Sequence, residues 1–61
     1  MKCRKGDRVL LADGIWHKVT KGTNKENGYF EMYETFHYPT GRWTQITMHK
    51  AAEIVDVKKR R

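Results

Sequence analysis

The chain contains no serine, a single cysteine, a single proline and no long apolar run. Without serine a Ser-His-Asp hydrolase is excluded, and the five glycines are too scattered to build a phosphate-cradling loop. Cys3 alone cannot close an internal disulfide. His17, His37 and His49 do not stand at zinc-ligand spacing with it, so neither metal nor cofactor is expected. No segment approaches the roughly 20 apolar residues that span a bilayer, so no membrane partner is expected. The start has only a short apolar run, Val9 to Ala12, and does not read as a signal peptide. One unpaired cysteine suits a reducing compartment, and a small soluble cytoplasmic protein is expected.

What is present is charge. The 61 residues carry a net charge of +6, unevenly placed. Residues 1–25 hold seven Lys/Arg against Asp7 and Asp13, giving +5. Residues 26–57 hold Arg42 and Lys50 against Glu26, Glu31, Glu34, Glu53 and Asp56, giving −3, and the tail "KKRR" adds +4. Basic ends favour a polyanionic partner, either the phosphate backbone of nucleic acid or an acidic protein surface. A chain this short makes one domain. It buries only about 60% of its unfolded surface, so it needs an efficient core, a partner or self-association. Composition leaves the oligomeric state open.

Five strands are expected. "RVLLA" (8–12) is short and apolar, "ADG" (12–14) is a turn signal, and "IWHKVT" (15–20) alternates. After the polar loop 21–28, "YFEMYETFHY" (29–38) has period 2 over Phe30, Met32, Glu34 and Phe36. "PTG" (39–41) reads as a three-residue turn, "RWTQITM" (42–48) as the next strand and "IVDV" (54–57) as the last. "HKAAE" (49–53) is too short for a stable helix and predicts one 3-10 turn. Alternation predicts an inward set of Val9, Leu11, Ile15, Val19, Phe30, Met32, Phe36, Ile46, Met48, Val55 and Val57. Leu10, Trp16, Tyr29, Tyr33, His37, Trp43 and Gln45 fall on the other face.

"KGDRVLLADGIWHKVTKG" followed by "TMHKAAEIVDV" resembles SH3-like small barrels. These open with Gly-Asp before an apolar strand and end with a 3-10 turn and a closing strand. The resemblance implies an all-β fold: a single small SH3-like five-stranded barrel over residues 4–57, one 3-10 turn before the last strand, and a basic tail at 58–61. "GDRVLLADG" is also similar to the opening of KOW-type barrels of ribosomal and elongation proteins, which carry glycines where this chain has Trp16 and His17. "GDRV", a later Trp, "QI" and "AA" together resemble the type II, plasmid-type dihydrofolate reductases. Those are homotetramers around a pore that use NADPH. In that comparison Gln45 and Ile46 match a pterin- and nicotinamide-contacting pair, Thr47 replaces a tyrosine, and Leu11 lies where a lysine is expected.

Aromatics beyond the needs of a core point to a binding module and not an enzyme. Cations meet phosphates and aromatic faces stack bases. The expected nucleic-acid (DNA or RNA) or partner contacts are Lys2, Arg4, Lys5, Arg8, Trp16, Lys18, Lys21, Tyr33, Arg42, Trp43, Lys58, Lys59, Arg60 and Arg61. The tail is expected to act as a phosphate-grasping arm. The alternative is an accessory factor, of the kind phages encode, that docks on a larger host protein. The acidic, tyrosine-rich stretch 29–38 supports it. Lys2 and Arg4 would lower the thiol pKa of Cys3, although a frayed end with no role is the plainer expectation. His37, beside Tyr38-Pro39, is a candidate gate for pH-dependent binding, although an ordinary strand residue is the plainer expectation.

Overall fold

The computed structural model describes residues 1–60. The fold is all-β: β1 (Arg8–Leu10), β2 (Trp16–Lys21), β3 (Tyr29–Tyr38), β4 (Gly41–Lys50), one 3-10 turn (Ala51–Glu53) and β5 (Asp56–Lys58). All pairings are antiparallel, in the order β4-β3-β2-β1-β5. β2 serves two partners. Its first half pairs with β1 and its second half with β3, and the register shifts between Val19 and Lys21. A bulge of this kind bends a strand and raises its twist, which lets the sheet fold over its own core.

The core lies on one face of this bent sheet and consists of Cys3, Val9, Leu11, Val19, Phe30, Met32, Ala51 and Ile54, with Val57 packed against it. These residues come from the N-terminal segment, β1 and Leu11 just after it, β2, the first half of β3, and the 3-10 turn with Ile54 just after it. Cys3 is therefore not a frayed end: it bridges to Thr23 and is 2% exposed. Lys58 pairs with Arg8 inside β5, so the last strand reaches into the segment expected to be a tail.

Four residues expected inside are exposed: Ile15, Ile46, Met48 and Val55. Phe36 and Val57 are half-buried. Ile15 lies in the turn before β2, where its amide donates to the Asp13 carboxylate, so strand alternation does not reach it. Val55 loses the core to Ile54, because the 3-10 turn changes which residue of the pair faces inward.

The β4 residues move for one reason. The β3–β4 loop holds two residues, Pro39 and Thr40, because Tyr38 pairs with Gly41. A three-residue "PTG" loop would have paired Tyr38 with Arg42. One residue of register exchanges the two faces of a strand. Phe36 consequently pairs with Trp43, Met32 with Thr47 and Phe30 with His49 on the core side, while Tyr33 pairs with Ile46 and Glu31 with Met48 on the outer side. Proline holds Pro39 at negative φ, so the loop cannot be a primed hairpin turn. Gly41 absorbs the mismatch at φ 149°, a conformation open to glycine.

Candidate functional site

The site begins at the "GD" of the opening stretch. Asp7 is only 3% exposed. Its carboxylate accepts the amides of Arg4 (2.9 Å) and Arg60 (3.0 Å), and the Lys59 ammonium approaches at 3.4 Å. Burial works against the charged form of Asp7. The two amides and the Lys59 ammonium outweigh it, holding the carboxyl below its usual range. The Asp7 carbonyl also accepts the Val19 amide. One buried side chain thus ties the N-terminal turn to the residues after β5. Gly6 (φ 94°) completes the clamp: a Cβ there would stand 2.6 Å from Arg60 Cδ. Lys59 and Arg60 are therefore docked beside β1 and are not a free arm. Arg61 lies outside the described residues.

Docking the tail aligns charge. Lys18 on β2, Arg8 on β1 and Lys58 on β5 are direct cross-strand neighbours in one row. Like charges directly opposite destabilise a sheet. None of the three forms an ion pair among the described residues. Lys58 lies over the Trp16 ring, 4.6 Å from its centroid, an attraction that offsets part of the repulsion.

An open groove of about 510 Å³ borders two members of this row, Arg8 and Lys18, and is lined as well by Lys5, Arg60, Tyr33 and Ile46; Lys58 stands outside it, over Trp16. A second groove continues from Lys5 and Arg60 past Arg4 and Lys59. Asp7 is the one acid lining either groove, and it is already hydrogen-bonded. Tyr33 is 45% exposed, and its carbonyl accepts a hydrogen bond from His17 Nδ1–H (3.2 Å), which pins β3 to β2 at that point. His17 Nε2 lies 2.9 Å from Asp13 Oδ2, so both ring nitrogens face acceptors.

Arg4, Lys5, Arg8, Trp16, Lys18, Tyr33, Lys58, Lys59 and Arg60 thus gather around one region. Lys2 is exposed and lines neither groove. Lys21 stands 4.0 Å from Glu31. Trp43 is 57% exposed and lies on the opposite face of the β3–β4 hairpin from Tyr33, edge-on to Tyr38 at 5.7 Å. It neither plugs the core nor joins the groove. Arg42 and His37 pair on the Tyr33 side, out near the hairpin tip. Gln45 and Ile46, adjacent in β4, project from opposite faces.

Two features escaped sequence reading. Asp7 is the first, since nothing in "GD" announces that two of its partners, Lys59 and Arg60, lie about fifty residues away. The second is a polar cluster on the core side of β3–β4. His49 Nε2 approaches Glu34 Oε1 (3.3 Å) and Thr47 Oγ1 (3.1 Å), and Nδ1 approaches Glu53 Oε1 (3.3 Å). Burial disfavours charge on His49, but Glu53 and Glu34 prevail and raise its pKa. Only the four-residue spacing of His49 and Glu53 was visible beforehand. Burial raises the Cys3 thiol, against the activation expected from Lys2 and Arg4. Among the described residues no group of three or more His, Cys, Asp or Glu is placed to hold a metal ion. No helix there is long and apolar enough to cross a membrane. Comparison of the chain with protein-family models, with curated proteins and with solved structures finds no match.

Proposed function

We propose that this protein is a non-enzymatic binding module whose ligand is nucleic acid, held along the groove between β1, β2 and the docked tail. The observation that carries the reading is the Lys18–Arg8–Lys58 row. Three cations placed side by side without acidic partners cost folding stability, and a polyanion returns it by displacing counterions. Lys5 and Arg60 extend the row, and Asp7 holds Arg60 in place. The buried thiol of Cys3 suits a reducing, cytoplasmic setting. The test is an anisotropy titration with labelled DNA and RNA at low and high salt, comparing the parent with Arg8→Gln. Salt-sensitive binding that weakens in the variant supports the proposal; absence of binding at low salt to every nucleic acid refutes it.

A second reading rests on a different observation. β4 is the outermost strand on its side of the order, ten residues long, with Trp43, Ile46 and Met48 exposed along it. Such an edge is a template for strand addition by another protein. It favours the accessory-factor alternative, in which the chain docks on a larger protein. A stoichiometric partner that survives nuclease treatment in a pull-down, and is lost when Met48→Lys interrupts the edge, would support it.

A further inference from the structure

The groove contains more than charge, and its apolar part bears on which nucleic acid it takes. Three exposed or half-exposed aromatics were candidates for base stacking, and the structure separates them. The Trp16 face is covered by the Lys58 ammonium at 4.6 Å. Trp43 lies on the far face of the hairpin, against Tyr38. Tyr33 alone lines the groove as an accessible ring, with its cross-strand partner Ile46 beside it and Lys18 and Arg8 across from it. Its backbone carbonyl is held by His17, which anchors the strand beneath the ring.

Resting on the nucleic-acid reading above, we infer that the groove binds an unpaired strand: one base stacks on Tyr33 against Ile46, and the flanking phosphates lie on Arg8, Lys18 and Arg60. A duplex keeps its bases stacked inside and presents phosphate ridges. Against such a ridge Tyr33 and Ile46 would face charge with no apolar partner. An unstacked base supplies the π-face that matches Tyr33, while its phosphates reach the cations. A groove of about 510 Å³ also suits a nucleotide-sized occupant. The hairpin tip offers no rival duplex contact of similar strength, since Arg42 is the only lysine or arginine between Tyr33 and Met48.

The test compares labelled oligothymidine with a duplex of equal length at one low salt concentration, using the parent, Tyr33→Leu, Tyr33→Phe and Arg8→Gln. The expected result is single-strand preference, a loss of about tenfold in single-strand affinity for Tyr33→Leu, and near-parent affinity for Tyr33→Phe, which keeps the ring. Duplex affinity should be the same in the parent and in Tyr33→Leu. Duplex binding as tight as single-strand binding overturns the inference. So does an indifferent Tyr33→Leu. In both cases, sensitivity to Arg8→Gln leaves the nucleic-acid reading standing. No binding of either ligand to the parent overturns both.

Discussion

Asp7 shows how one residue can connect folding to the candidate site. Its carboxylate stabilises the fold through amides of Arg4 and Arg60, near opposite ends of the chain, and at the same time places Lys59 and Arg60 beside the groove. Asp7→Ala should cost about 2 kcal/mol in chemical denaturation, in the range for hydrogen bonds to a charged group. It should also weaken nucleic-acid binding, although it removes a negative charge. A purely electrostatic role would give the reverse, so the sign of the binding change separates the two. The pKa shifts define a stability window. The folded pKa of Asp7 lies below the ordinary 3.8, so its contribution is present above that value and is lost as pH falls through the folded one. His49 is the opposite case. Its folded pKa lies above 6.5, so its contribution is complete below that value and fades as pH rises through the folded one. The denaturation midpoint should therefore decline as pH rises above 6.5, and His49→Gln should flatten that decline.

Among the elements, the β3–β4 hairpin is the most informative. Its near half completes the core through Phe30 and Met32, and its far half, beyond Glu34, pairs only within itself. Gly41 supports this arm at a φ that side-chain-bearing residues rarely adopt. Gly41→Ala should cost about 1–3 kcal/mol of local stability, read as faster amide exchange at the arm tip with β1 and β2 unchanged. Trp43, on the same arm, is exposed and is not among the core residues. Trp43→Leu should shift the denaturation midpoint by no more than about 0.5 kcal/mol, whereas Phe30→Ala should cost about 3–5 kcal/mol.

For the whole molecule, the basic row and the apolar edge are distinct surfaces. The row lies across β2, β1 and β5, and the edge lies on β4 at the other end of the order. If four groove cations meet phosphates of a single strand, log K should fall with log salt at a slope of about −3, and Arg8→Gln should reduce that slope by about 0.7. Ile46 lines the groove as well as the edge, so Ile46→Lys affects both surfaces. Met48, 64% exposed and outside the groove, isolates the edge. Met48→Lys should leave the salt slope intact and abolish any association of the chain seen by sedimentation.

Local pattern was enough to reveal five strands, the 3-10 turn, the polar loop 21–28 and the inward half of β1 and β2, because period-2 alternation and turn chemistry act between near neighbours. It also identified the cations that gather at the groove, since charge is visible residue by residue. Three things depended on the folded chain. The face of β4 depended on whether the loop held two residues or three, and either is compatible with "YPTGR". The fate of the basic tail depended on a buried Asp7 meeting residues 59 and 60, a contact that no local pattern encodes. The choice among Trp16, Tyr33 and Trp43 depended on what lay over each ring: a lysine from β5, open space, or the opposite side of a hairpin. Stacking surfaces are made by neighbours brought together across strands, and only the closed chain supplies those neighbours.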